Sequence, residues 1–446
     1  MLAQPSLLDS IQEADSYHSR GPGYFTLNQR HPGNSRMVQT PYRLDDLYTV
    51  LRLLDPSIDT WISQGEFFRK NRRVINLARI GLFFVDLDYY RIPSFEYCSP
   101  EHMTAVVLGY LEQEDLPPPT IIVSSGQGLQ LKWVFEYPLI SQALPRWNAC
   151  QATLVNTLKA YGADPRAKDA SRILRAVGTV NSKSGELARV VHYDPDAIAS
   201  FDYLAEILLP YTREQIESFR QEAHKRRKLR VLEGGKKGPA GFSGRQLAWD
   251  RLKDLQHLTR MRGGMPEGLR MHTLFYSLNF LLLSGATNPN QMWHEARALA
   301  YQIDPDWVYR PEELSTLYRK AQAHLNGETI TFRGRKYSPL YTPKNSTLID
   351  QLEITDDEQK QLRTIISKDL AQARRRERDR ERDEKRRREA GAIDRATYEA
   401  NSKSRTKPWD AMGMSRSTWY RLGQPLPSEV ETGPSPTTNG GALARG

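Results

Sequence analysis

The chain has 446 residues, too many for one ordinary domain, and its 39% hydrophobic content leaves room for a core alongside less compact segments. Lysine and arginine exceed aspartate and glutamate by ten, a balance that favours a polyanionic partner. Two cysteines, Cys98 and Cys150, exclude a disulfide framework and a cysteine-built zinc site. The opening residues MLAQPSLLDS show no basic segment followed by a long apolar stretch, so no signal peptide is expected. The most apolar run, LFYSLNFLLLSGA from Leu274, is too short to span a bilayer. A soluble, cytoplasmic chain with no membrane partner is expected.

Residues 1–210 mix strand-like and helix-like segments in an α+β order. GLFFVDLDYY at 81–90 reads as a buried strand that ends in Asp86 and Asp88. Alternate strand residues share a face, so both carboxylates project together from one end of a sheet. TIIVSSGQGLQLKWVFEY at 120–137 reads as strand, turn, strand, with Gly126 and Gly128 permitting a tight reversal. The helix-spaced ALPRWNACQATLVNTLKAYG ends at Gly162 as a C-cap. SRILRAVGTV and ARVVHYDP then read as strands around NSKSGE.

From 211 to 245 clustered cations precede glycine and proline, which predicts a basic linker. Residues 246–330 are helical in pattern: Pro266 and Glu267 open one helix, Gly285 closes it, and Asn288-Pro289 starts the next. A linker over 331–354 leads to a segment in which Thr355 and Glu358 form a capping box and no glycine or proline intervenes before Gly391. One long charged helix is predicted over 355–391. Its stretch 374–388 holds ten basic and five acidic residues, which suits a solvated ion-paired face or a phosphate-contacting one. A short unit at 403–423 and a disordered tail at 424–446, rich in Pro, Gly, Ser and Thr, complete the prediction.

Like charges a few ångströms apart repel unless something neutralises them. For the oxygen-only pair Asp86 and Asp88 that partner is Mg²⁺ or Mn²⁺; the plainer alternative is a pair of exposed acids at a strand end. SSGQGLQLKW adds the hydroxyls of Ser124 and Ser125, amides at a glycine turn, Gln130 and Lys132, all donors for phosphate oxygens. An ordinary β-turn is the bland reading there. ADPRAKDASRILRAVGTVNSKSGE offers Asp164 or Asp169 as a third acid. It also offers Arg172, Arg175 and Lys183 to neutralise phosphates, with structural salt bridges as the alternative.

In order and spacing these three stretches resemble the archaeo-eukaryotic primase (primase–polymerase) superfamily, particularly plasmid- and phage-encoded replication primases. That family has a hydrophobic strand ending in Asp-x-Asp or Asp-x-Glu, a small-x-His strand, and a hydrophobic-Asp element. In plasmid-type members an R-x-L-R-x-x-G-T-x-N-x-K run follows. Asp86 and Asp88 match the first motif, and the run from Arg172 to Lys183 matches the last. GMPEGLR and the helices after it resemble the helical domain that follows such cores, so the likeness covers roughly residues 20–330.

The resemblance implies a primase–polymerase-like core and metal-dependent nucleotidyl transfer. Asp86, Asp88 and Asp169 would hold Mg²⁺ or Mn²⁺, with Asp164 the alternate third ligand. Ser124, Ser125, Gln130, Lys132, Arg172, Arg175 and Lys183 would contact the nucleotide. Single-stranded template DNA and nucleoside triphosphates are the implied partners, and a host or plasmid helicase is a further candidate. One position departs from the family: its second motif carries His where this chain has Gln130, which donates a hydrogen bond but carries no charge.

TKPWDAMGMSRSTWYRLG reads as a helix over 408–412, a turn at Gly413 and a helix capped by Ser415. This helix-turn-helix pattern resembles units of replication and transposition proteins. Arg416, Ser417, Thr418, Tyr420 and Arg421 would face DNA from the recognition helix, and Trp409, Met414, Trp419 and Leu422 would pack. No G-x-x-x-x-G-K followed by Ser or Thr occurs, and no His-hydrophobe-His pair, which argues against a P-loop helicase and a rolling-circle nickase. The expected function is a plasmid- or phage-type replication primase that also binds a duplex origin site. Its rivals are a DNA-binding initiator with a degenerate primase core, and a transcriptional regulator using the terminal unit alone.

Overall fold

The computed structural model describes residues 5–209, 240–332, 334–389 and 395–424. Met1–Ser367 form one compact unit and Lys368–Gly446 a second. Most of the predicted linker at 211–245 lies outside the described residues, as does the predicted tail after 424.

The strands are β1 (Tyr24–Arg30), β2 (Val38–Arg43), β3 (Asp59–Ser63), β4 (Gly65–Phe67), β5 (Leu77–Leu87), β6 (Ile121–Ser124), β7 (Leu129–Ile140), β8 (Ile173–Arg175) and β9 (Arg189–Tyr193). They form one nine-stranded sheet in the order β8-β3-β1-β4-β5-β7-β6-β9, with β2 also paired to β1. Every pairing between these strands is antiparallel. With helices inserted between strands, the fold is α+β as the sequence predicts. Central β5 buries Leu82, Phe83, Phe84 and Val85 completely, at roughly 1.5–3 kcal/mol for each large apolar side chain.

Helix α1 (Ser10–Asp15) precedes the strands, α2 (Leu47–Arg52), α3 (Pro100–Gln113) and α4 (Leu144–Thr157) are inserted among them, and α5 (Phe201–Leu208) follows β9. β4 pairs only with the first part of β5. Beyond it, α4 takes over the open edge. Trp147 Nε1 donates to the Leu82 carbonyl at 2.9 Å, and the Gln151 amide bonds both the N–H and the carbonyl of Phe84. These contacts satisfy backbone groups that burial would otherwise leave unpaired, and they hold β5 extended up to its acidic end.

Four helices follow the sheet: α6 (Ala240–Met261), α7 (Arg270–Leu283), α8 (Pro289–Ile303) and α9 (Ser315–Leu325). Trp249 Nε1 donates to Ser141 O at 2.8 Å, and Glu295 accepts from the N–H groups of Val74 and Ile75 at 3.1 and 3.3 Å. The segments predicted as domains over 1–210 and 246–330 therefore belong to one unit.

The stretch 331–354 is more structured than a linker. It takes part in the hairpin of β10 (Ile330–Phe332) and β11 (Arg335–Tyr337), and it holds α10 (Asn345–Gln351) with Leu348 buried. The single helix predicted over 355–391 is two, α11 (Asp356–Gln361) and α12 (Lys368–Glu389). The capping box at Thr355 and Glu358 forms as expected. The break arises because Asp254 of α6 accepts the N–H groups of Arg363, Thr364 and Ile365 at 2.6–2.9 Å, withdrawing amides that a continuous helix needs. Leu362 and Ile365 are buried at that point.

In the second unit α12 buries no side chain. α13 (Arg395–Ala400), α14 (Lys403–Thr406), α15 (Pro408–Ala411) and α16 (Arg416–Arg421) follow. Among the described residues no helix is long and apolar enough to cross a membrane.

Candidate active site

Asp86 is the penultimate residue of β5, and Asp88 follows the strand end. An isolated antiparallel bridge joins Leu87 to Ala163. It is closed by hydrogen bonds from Asp164 N to Asp86 O at 2.9 Å and from Asp88 N to Gly162 O at 2.8 Å. Residues opposite one another in such a pair share a face, so Asp164 sits beside Asp86. Burial pushes the Asp86 carboxyl up to about 7, with Asp88 and Asp164 adding repulsion and Arg172 opposing it. Burial also raises Asp88, with Asp164 adding to the rise and Arg91, 3.2 Å away, working against it.

Asp169, the third ligand favoured from sequence, is engaged elsewhere. It accepts from Ser171 Oγ at 2.6 Å and lies 3.5 Å from Arg172. The acid brought to the pair is the alternate, Asp164, because strand register rather than closeness to Arg172 decides which carboxylate arrives.

Glycines draw the three motifs together. A Cβ on Gly128 would stand 2.3 Å from Leu87 O, and one on Gly162 would stand 2.9 Å from Asp88 C. Gly126, at φ +92, lies against Asn181 and Ser184. Asn181 Nδ2 also donates to Ser125 O at 2.8 Å. The 125–128 turn thus touches both the acidic strand end and the loop carrying Lys183.

Gln130 pairs directly with Asp86 across the β5–β7 ladder, so it faces the same side. It is 4% exposed, and its Oε1 has no hydrogen-bond partner. Ser124 is buried within β6, and Ser125 Oγ is engaged with the Gly128 backbone. Lys183 is exposed, and its charge favours ionisation of Asp88.

Two predicted phosphate ligands are committed to the framework. Lys132 is fully buried, ion-paired with Glu13 of α1 and 4.7 Å from the Tyr17 ring centroid. Two residues from Gln130, it shares the strand face of Gln130 and Asp86 but lies further along β7 from the turn, where Glu13 holds its ammonium in the interior. Arg175 Nη1 donates to Asp59 at 2.7 Å and to Val180 O at 2.8 Å, and its guanidinium lies 4.4 Å from the Trp61 ring. Burial opposes ionisation of Asp59, but hydrogen bonds from Ser182, Arg30 and Arg175 outweigh it and hold the carboxyl below its usual range. Glu13 and Asp59 escaped notice in the sequence because each acts through a partner far along the chain.

Among the described residues no group of three or more His, Cys, Asp or Glu side chains is disposed to hold a metal ion unaided. Mg²⁺ commonly takes one or two carboxylates and completes its shell with water and substrate phosphates. The donors fit that pattern, being oxygen-only and gathering like charge, only partly offset by Arg91 and Arg172, beside the unpartnered Gln130 Oε1.

In the second unit Trp409 and Trp419 are buried against each other at 5.9 Å between ring centroids, and Ser415 caps α16 by accepting from Thr418 N. Arg416, Ser417, Tyr420 and Arg421 are exposed and Thr418 half-buried. Met414 is half-buried, whereas Leu422, predicted to pack, is 56% exposed because it follows the last turn of α16.

No family model matches the chain. A curated "Replication protein" of Clostridium perfringens is 28% identical over 366 residues, covering 79% of this chain and 78% of that protein. Among solved structures, the AEP domain of the cyanophage S-2L primase-polymerase is similar at 17% identity and a TM-score of 0.30, covering 42% of this chain and 89% of that one. The catalytic domain of primase RepB′ in complex with initiator DNA is similar at 12% identity and a TM-score of 0.28, covering 50% and 96%. The sequence likeness to the clostridial protein agrees with the resemblance read from the motifs.

Proposed function

We propose that the chain is a plasmid- or phage-type replication protein whose sheet carries out metal-dependent nucleotidyl transfer. The observation that carries this is the acid cluster at the end of β5, where Asp86, Asp88 and Asp164 meet and Arg172 and Lys183 act on them. Asp86 and Asp88, with Asp164 beside them, would hold Mg²⁺ or Mn²⁺, which would neutralise charge on the attacking 3′-hydroxyl and the departing pyrophosphate. Arg172 and Lys183 oppose the acids and draw in the triphosphate, while the 125–128 turn closes the adjoining side. Oxygen attack on the α-phosphorus forms the new phosphodiester as the bond to pyrophosphate breaks. α16 presents Arg416, Ser417, Tyr420 and Arg421 to the major groove of a duplex site.

The test is templated incorporation of labelled nucleotides with Mg²⁺ or Mn²⁺. Asp86→Ala combined with Asp88→Ala should abolish product and leave duplex binding intact; undiminished synthesis would sink the mechanism. A second reading, an initiator with an inactive core, draws on the neutral Gln130 beside Asp86. It is favoured if the wild-type chain yields no product with either metal while still binding duplex DNA.

A further inference from the structure

A cavity of about 710 Å³ lies in the first unit, between α6 and the segment leading out of β4. Its lining includes Phe68 and Arg69 on one side and Lys253 and Arg260 on the other. These three cations repel one another: Arg260 acts on Lys253, and Arg69 acts on Arg260. Burial, with Arg260 adding to it, pushes the Lys253 ammonium down to about 8. Among the described residues none of the three has a carboxylate within ion-pair distance, as the remaining ion pairs show.

The acids of the cavity are already answered. Asp254 is filled by the amides of 363–365, and Asp250 faces Arg363 at 3.6 Å and Gln246 at 2.9 Å. Lys253 is partly answered, with its Nζ 4.5 Å from the Trp249 ring centroid and Glu295 favouring its charge. Arg69 and Arg260 face the same cavity with no carboxylate partner among the described residues, and like charge gathered there favours an anionic ligand.

Lys253 and Arg260 are seven residues apart on α6, on one side of the helix and about 10 Å apart along its axis. A string of phosphates satisfies that spacing and a single phosphate does not. Phe68, 65% exposed, offers a ring at the same cavity, and aromatic rings are the common platform for an unpaired base. The segment after Phe68, RKNRR, carries four cations in five residues. Arg72 within it donates to the Ser171 carbonyl, next to Arg172, whose charge acts on Asp86. The segment that meets the cavity at Arg69 therefore reaches, through Arg72, the backbone next to Arg172.

We propose that this cavity binds a single strand of nucleic acid, with phosphates along Arg69, Lys253 and Arg260 and a base on Phe68. Resting on the nucleotidyl-transfer reading, that strand is the template on its way to Asp86.

The test is the anisotropy of a labelled single-stranded thymidine oligomer bound by the full chain in EDTA, titrated with salt. Lys253→Gln combined with Arg260→Gln should weaken binding about tenfold or more. It should also reduce the slope of log affinity against log salt by about 1.4, from two lost phosphate contacts, with duplex binding unchanged. Phe68→Ala, at an exposed position, should weaken the single strand roughly fivefold or more, and it serves if the double variant fails to fold. Unchanged affinity and slope in folded variants would overturn the proposal. So would loss of a fluorescent nucleoside triphosphate analogue with strand binding intact, which would make the cavity a nucleotide site. Asp86→Asn should keep full strand binding while losing synthesis, so failure here and failure of the catalytic reading are separable.

Discussion

Asp86 owes its raised pKa first to burial and then to two neighbouring carboxylates, and the sequence singles out only one of those neighbours without an alternative. Asp88 follows at strand period and is read at once. Asp164 arrives through the single bridge of Leu87 to Ala163, in a segment with no strand pattern of its own. Two candidate acids five residues apart could not be separated without that register. The structure yields a clean contrast: Asp164→Asn should lower templated incorporation about a hundredfold, the scale expected for losing a preorganised electrostatic group. Asp169→Asn should stay within about threefold of wild type. Equal losses from both, measured side by side with folding checked by circular dichroism, would return Asp169 to the site. Lys132 is the reverse case, with the right residue type in the right motif but a buried partner 119 residues away.

Among the elements, the strand carrying Asp86, the glycine hairpin and the helix capped at Gly162 were legible because each is written locally, by apolar runs and by glycines that need positive φ. The break between α11 and α12 was not, since no glycine or proline marks it and the interruption comes from Asp254 on another helix. Glycines at close approaches fix how the elements meet. Gly128→Ala would force a methyl group onto Leu87 O, and Gly162→Ala one onto the backbone at Asp88. Each should cost about 1–3 kcal/mol in thermal or urea unfolding and sharply reduce incorporation. Gly109→Ala in α3, with nothing within 4 Å, should be neutral or stabilising by up to about 1 kcal/mol. Equal tolerance at all three positions would mean that the close approaches do not position the site.

For the first unit as a whole, Glu295 is the joint between the helices and the sheet, accepting from Val74 N and Ile75 N while buried. Burial pushes its carboxyl up to about 7, against 4.5 ordinarily. The folded state therefore holds a proton that the unfolded chain releases between these values, so this group's contribution to stability falls as pH rises from about 4.5 to 7 and stays low above that. At about 1.4 kcal/mol per unit, the difference is on the order of 3 kcal/mol. Glu295→Gln cannot titrate, so the stability gap between wild type and variant should narrow or reverse from pH 5 to pH 8 in denaturant unfolding. A gap that does not change with pH would show that Glu295 is already ionised in the folded protein. The fold class and the run of helices were legible in composition and periodicity; that they share one unit was not, because single side chains such as Glu295, Gln256 and Trp249 make the joint.

The buried pair of Glu13 and Lys132 also has a consequence for the order of synthesis. Glu13 leaves the ribosome 119 residues ahead of Lys132, so its carboxylate lacks that partner while the strands between them are made. Until β7 emerges, the acid has no mate. The contact that buries Glu13 is therefore completed late, and a nascent chain halted before residue 132 holds the acid without the strand that shelters it.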